Sequence, residues 1–228
     1  MVTLGIDSSS GAGSAAIQKD GKLLSEVYRN VGLTHSETLA PTVERAMQEA
    51  GVTPADIDCI AVSCGPGSFT GIRIGVALAK GMAFPKGIPT VGVLSTEALA
   101  WPYRSYPGEV AAVLDARRNR VFCGIYQNGK PKGDIEVIDV EELPKKLTMQ
   151  NTAPMLVGDG ALMCYNQLIE RYPMALAPTM LREIRASAVA EIGEREFLAG
   201  RAVKAADLRP VYVQMSQAER TLKEKNQK

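Results

Sequence analysis

Histidine occurs once in these 228 residues, at His35. A metal site that needs two imidazoles on one ion cannot be built within the chain. Cysteine is scarce as well: Cys59, Cys64, Cys123 and Cys164, with no C-x-x-C pair. Three of the four lie in or beside β-type runs, the usual setting of buried free thiols, so a disulfide framework is not expected. No apolar run reaches the roughly 18 residues of a membrane span. The chain opens on a strand-like segment, without a basic stretch followed by an apolar one, so no signal peptide is expected and the cytoplasm is. Charge of one sign is also lacking. Residues 1–104 hold eight Lys/Arg against nine Asp/Glu, and the whole chain carries +1. Neither half has the excess that binds nucleic acid unaided; tRNA, if it is met, is met through a partner.

What is present is an ordinary globular composition, 46% hydrophobic and 22% charged. Val2 to Asp7, Ser14 to Gln18 and Leu23 to Tyr28 read as a three-stranded meander, with Asp20-Gly21 as a hairpin turn. Thr34 and Glu37 have capping-box spacing at the start of a helix that Gly51 ends. Asp56 to Ser63 is a strand, Gly71 to Phe84 a helix, Pro89 to Leu94 a strand, and Ser95 caps a short helix. The order β-β-β-α-β-α-β-α is that of an RNase H-like unit. After the Pro102–Gly108 linker a second pass begins: Val110 to Asp115, a turn, Arg120 to Gln127, then Asn128-Gly129. A short helix is expected over 140–147, a strand at Met155, and helices over 162–172 and 185–200; residues 217–228 read as a frayed polar end. Two lobes follow, 1–104 and 105–228, with the end of the second packing back on the first.

The chain is organised around Cys64-Gly65-Pro66-Gly67-Ser68-Phe69-Thr70-Gly71 and the small-residue helix after it. Two readings of this stretch compete. As an anion cradle, it would offer free N–H groups at a positive helix end. As a packing device, it would use Gly71, Gly75 and Ala79, which share one helix face and hold no neighbour away. Neither nucleotide-binding glycine fingerprint is met, and packing is preferred. Asp7 at the tip of its hairpin is either a carboxylate facing a metal or phosphate, or a turn residue bonding the next N–H groups. Ser68 or Thr70 can cap the helix.

Leu4-Gly5-Ile6-Asp7-Ser8-Ser9, His35-Ser36-Glu37, Gly65 to Gly75 and Asp115-Ala116-Arg117-Arg118 occur in this order. Together they resemble the bacterial TsaB (YeaZ) family of the M22 glycoprotease-like superfamily, most closely over residues 1–126. The resemblance implies an α/β ASKHA fold, two RNase H-like lobes as in actin and sugar kinases. It implies a non-catalytic subunit in making threonylcarbamoyladenosine beside the tRNA anticodon. That subunit pairs with the TsaD transferase, is joined by the TsaE ATPase, and forms a homodimer when its partner is absent.

The residues agree in part. TsaD-like catalysts hold metal with H-x-x-x-H, and four residues after His35 stands Leu39. No metal ligand set and no catalytic residue is therefore assigned. Two helices read as the partner interface, through His35, Leu39, Val43 and Met47 on one and Gly71, Gly75, Val76, Ala79 and Lys80 on the other. Each has small or apolar residues on most sides, and one sheet covers only one side. The alternative is an ATP- or ADP-binding enzyme, or a peptidase-like hydrolase. Its cleft would be lined by Asp7, Ser8, Ser9, Gly65, Gly67 and Asp115, with nucleotide and Mg²⁺ at a subunit boundary. Arg117, Arg118 and Arg120 form the one compact basic group, either solvated hairpin arginines or a contact to tRNA or a partner.

Overall fold

Side chains on a strand point alternately to opposite faces, so a strand apolar at every position must be covered twice. Val2–Asp7 and Cys59–Gly65 are buried along their whole length. In the computed structural model, which describes residues 1–148 and 152–213, they form the central pair of a five-stranded sheet. The meander is β1 (Val2–Asp7), β2 (Gly13–Lys19) and β3 (Lys22–Arg29). It is followed by α1 (His35–Ala50), β4 (Cys59–Gly65), α2 (Phe69–Ala83), β5 (Thr90–Leu94) and α3 (Ser95–Ala100). The strand order is β3-β2-β1-β4-β5, with β1, β4 and β5 parallel.

The second pass repeats this plan. β6 (Val110–Asp115) pairs antiparallel with β7 (Arg120–Gln127), beside the short β8 (Lys130–Pro131) and β9 (Glu136–Asp139). After α4 (Leu143–Lys146) come β10 (Met155–Val157), α5 (Ala161–Leu168) and β11 (Ala175–Leu176), with β10 parallel to both β6 and β11. α6 (Thr179–Arg182) and α7 (Ala186–Leu198) complete the elements. The duplication read from two Asp-ended strands is thus a repeat of sheet order, and the fold is of the ASKHA type.

Three cores lie in sequence across the molecule. Leu4, Ile6, Ile60 and Val62 pack against Leu39, Val43, Ile72 and Val76 beneath α1 and α2. The other face of β4, through Cys59 and Ala61, joins Leu99, Val110, Ala112, Leu114, Val189 and Ile192 in a middle layer. Ala111, Val113, Leu143, Leu156 and Leu168 form the third. The middle layer is an exchange: α3, from the first pass, packs on β6 and β7, while α7, from the second, packs on β1, β4 and β2. Close approach makes this possible, since a Cβ on Gly193 would lie 2.2 Å from that of Ala61. Beyond α7, Val203 bridges Thr90 and the Val211 N–H reaches the Cys64 carbonyl at 2.7 Å.

Several local expectations change. Thr34 stands at the N-cap of α1 but makes no backbone cap; its hydroxyl donates to Glu37 Oε2 at 2.8 Å instead, so the reciprocal box does not close. Ser95 is inside α3, with Leu94 at the cap. The helix expected over 162–172 ends at Leu168, and the one over 140–147 splits into a 3₁₀ turn and α4. The frayed end read over 217–228 lies outside the described residues.

Candidate functional site

The glycine loop closes on the chain's own first hairpin. Gly65 and Gly67 have φ of 119° and 149°, backbone that a residue with a Cβ rarely adopts. A Cβ would meet the Val211 carbonyl oxygen at 2.4 Å from Gly65, and the Ser9 carbonyl oxygen at 2.1 Å from Gly67. The Ser68 N–H donates to that same Ser9 oxygen at 2.7 Å. Ser68 Oγ caps α2 by accepting from the Gly71 N–H at 3.2 Å. Ser8 then sits on the helix, where Cβ atoms on Gly71 and Gly75 would lie 2.0 and 2.4 Å from its backbone and hydroxyl oxygens. Its hydroxyl donates to the Gly71 carbonyl at 2.9 Å. Gly71 and Gly75 thus pack against the Ser8 turn, where the packing reading had another helix, and the Ser68 N–H donates to Ser9.

Asp7 is buried at the carboxyl end of β1. Its Oδ1 accepts from the Ser9 hydroxyl at 2.7 Å and the Ser9 N–H at 3.2 Å, the turn contacts of one of the two roles read for it. Its Oδ2 has no partner among the described residues, and neither does Ser63 Oγ, one residue beyond the paired Ile6 and Val62. Burial pushes the Asp7 carboxyl above the usual carboxylate range, against the bonds from Ser9.

The equivalent corner of the second pass is acidic too. Asp115 Oδ1 accepts from the Arg117 N–H at 2.7 Å, and Asp159 Oδ1 accepts from the Asp115 N–H at 2.9 Å. Burial, then the neighbouring Asp115, raise the Asp159 carboxyl. Glu183 feels acids of both passes. Burial, then the charges of Asp159 and Asp7, push it from 4.5 to about 7. Asp7 and Ser9 are thus joined, Gly67 lies against Ser9, and Gly65 lies against Val211, while Asp115 belongs to the corresponding corner of the second pass. The sequence reading missed Glu183 and Ser63. Ser63 could have been found from the register that places it beside Asp7; nothing local marks Glu183. Among the described residues no group of three or more His, Cys, Asp or Glu could hold a metal ion.

His35 Nε2 lies 2.8 Å from the Ser10 carbonyl oxygen. A carbonyl only accepts, so Nε2 carries the proton. Ser68 and His35 both border Gly71, but among the described residues no hydrogen bond joins the Ser68 hydroxyl to the imidazole: Ser68 Oγ caps α2 and His35 bonds Ser10. The nucleophile–base bond by which a His-activated serine is recognised is not formed.

The expected interface residues divide. Leu39, Val43, Val76 and Ala79 are in the chain's own first core, and Gly71 and Gly75 lie against Ser8. These six are not available to another chain, because the sheet and the Ser8 turn already cover them. His35, Met47 and Lys80 are partly exposed. The open side of α2 is instead Arg73, Ala77 and Gly81, ending in Phe84 at 74% exposure. The arginines divide as well. Arg117 and Arg118 form the exposed hairpin tip, whereas Arg120 is half-buried in β7 opposite Asp139.

Residues 29–156 match the family model described as TsaD, tRNA N6-adenosine threonylcarbamoyltransferase. The Bacillus subtilis tRNA threonylcarbamoyladenosine biosynthesis protein TsaB is 36% identical over 127 residues, 56% of this chain and 56% of that protein. The chain thus matches little more than half the length of this relative. The solved structure of YeaZ from Pseudomonas aeruginosa superposes with a TM-score of 0.76 at 28% identity, covering 92% of this chain and 99% of that one. The activator of the 2-hydroxyisocaproyl-CoA dehydratase from Clostridium difficile, solved with bound ADPNP, gives a TM-score of 0.53 at 12% identity, over 93% of this chain and all of the other. That last likeness is one of fold alone. No helix among the described residues is long and apolar enough to cross a membrane.

Proposed function

Since the chain belongs to the TsaB (YeaZ) family, within the threonylcarbamoyltransferase group, we propose that it is a partner subunit without chemistry of its own. It supports addition of the threonylcarbamoyl group to the adenosine beside the tRNA anticodon, by pairing with a TsaD-like transferase in the cytoplasm. A TsaE-like ATPase joins the pair, tRNA is met only through the complex, and the chain pairs with itself when the transferase is absent.

The observation that carries this reading is the state of the one histidine. His35 sits where the transferase-type motif begins, its Nε2 is bonded to Ser10, and the position four residues on is a core leucine. The helix that would present a metal instead contributes to packing. Packing is supported over a phosphate cradle by the Ser68 N–H, which donates to Ser9, and by the space beside Gly65 and Gly67, which Val211 and Ser9 take up. A nucleotide-binding role therefore stands second. Calorimetry of the lone chain with ATP and Mg²⁺ separates the two: micromolar binding would favour a kinase-like relative over a scaffold.

The face proposed for the transferase is the outer side of α2 with the adjoining outer side of α1. Gly81 has no atom within 4 Å of where its Cβ would stand. A glycine inside a helix costs about 1 kcal/mol relative to alanine, and no internal contact accounts for it here. Close approach of another helix does. Gly81→Trp leaves the monomer folded and abolishes pairing with the transferase subunit in size-exclusion and calorimetric assays. A reconstituted modification assay, with and without this chain, tests the whole reading; full activity in its absence refutes it.

A further inference from the structure

Left-handed backbone crowds Cβ against the neighbouring carbonyl, and Gly, Asn and Asp tolerate it best. Two hairpin tips of this chain follow that rule, with Asp20-Gly21 and Asn128-Gly129. At the β6–β7 tip the left-handed residues are Arg117, Arg118 and Asn119, at φ of 67°, 56° and 58°. Making the turn does not explain arginine at two of the three.

The tip is held from three sides. The Arg117 N–H donates to Asp115 Oδ1 at 2.7 Å, Gln167 Nε2 donates to Asn119 Oδ1 at 2.8 Å, and the Val140 N–H donates to the Asn119 carbonyl at 3.1 Å. The two guanidinium groups are left outside. The Arg117 side chain is 87% exposed and lies 3.4 Å from Asp115 Oδ2. Arg118 is exposed and takes part in no hydrogen bond or ion pair among the described residues. A fixed backbone aims both side chains outward, and the planar guanidinium fork matches the two oxygens of a carboxylate.

We propose that Arg117 and Arg118 form a docking point for the carboxylates of a partner protein, another subunit of the modification complex. This rests on the reading of the chain as a partner subunit. A protein fits better than RNA for an electrostatic reason. Asp115 and Asp159 stand directly behind the tip, joined to it by the Arg117 N–H and to each other by the Asp115 N–H. A uniformly negative phosphate backbone would bring charge onto those carboxylates, whereas a protein surface places its acids opposite the arginines alone. The net charge of +1 supplies no long-range pull on a polyanion.

Arg118→Asn separates turn from function, because asparagine accepts the left-handed backbone and lacks the fork. Its melting temperature equals or exceeds that of the natural chain. Its affinity for the purified transferase-type or ATPase-type subunit falls about tenfold, and Arg117→Glu with Arg118→Glu abolishes that binding. Arg118→Gly, which relieves the same backbone, replaces the asparagine variant should that one misfold. Unchanged affinity for both subunits overturns the proposal, as does a loss confined to the binding of tRNA by the assembled complex. If the natural chain binds neither subunit, the premise itself falls, a result distinct from variants that match a binding natural chain.

Discussion

Glu183 ties the stability of the fold to pH. An acid whose pKa rises on folding stabilises fully below its unfolded value and loses that contribution as pH climbs through the folded one. For Glu183 the loss runs from about 4.5 to about 7. Asp7 and Asp159 shift in the same direction. Glu196 goes the other way, to about 2, held down by the hydrogen bond from Arg201 and then by that from Arg195. Its contribution is present above 4.5 and is lost in strong acid. Glu183→Gln therefore raises the melting temperature at pH 8 and not at pH 4. Allowing for its partial exposure, the gain is about 1 kcal/mol, or roughly 2–4 °C for a chain of this size. Melting curves at the two pH values check this, and equal shifts at both would rule out the buried charge as their cause.

At the scale of one element, α2 shows what periodicity can and cannot tell. A cap at Ser68 or Thr70, the small face of Gly71, Gly75 and Ala79, and a stop near Pro85 are all legible in the chain, and the structure takes Ser68 as the cap. Which side faces inward is not, because small and apolar residues occur nearly all round. The answer came from Ser8, sixty-odd positions earlier, whose hydroxyl reaches the Gly71 carbonyl. Two alanine substitutions on this helix should have opposite signs. Gly75→Ala puts a methyl 2.4 Å from Ser8 Oγ and destabilises by about 1–3 kcal/mol. Gly81→Ala meets nothing and stabilises the monomer by up to about 1 kcal/mol. Urea midpoints decide, and a loss at both positions would mean that Gly81 is covered within the monomer.

Across the whole molecule, the two passes are fastened by exchanged helices. Glu26 of β3 accepts from Arg185 Nη2 at 2.8 Å, and from the Ser187 N–H and hydroxyl at 2.9 Å each, holding the first turn of α7 to the first sheet. Arg185 also lies over the Tyr28 ring at 4.8 Å. With a shared middle layer, neither half has a complete core alone, so calorimetry should show one cooperative transition. Glu26→Ala strands a largely buried Arg185 and costs about 2 kcal/mol, lowering the melting temperature by roughly 4–8 °C without splitting the transition. Two resolved transitions in the natural chain would contradict the exchange. The sequence by itself determined the order of strands and helices through the first pass, the opening of its repeat, and the impossibility of a two-histidine site, because turn chemistry, alternation and residue counts are local properties; the short strands Glu136–Asp139 and Ala175–Leu176 carry no such local signal. Only the tertiary structure decided that the glycine loop clasps Ser8 and Ser9, that burial, then Asp159 and Asp7, raise the Glu183 carboxyl, and that one side of each of α1 and α2 is taken by the first core. Those outcomes depend on which distant residues fill a given space, and spacing along a chain does not carry that information.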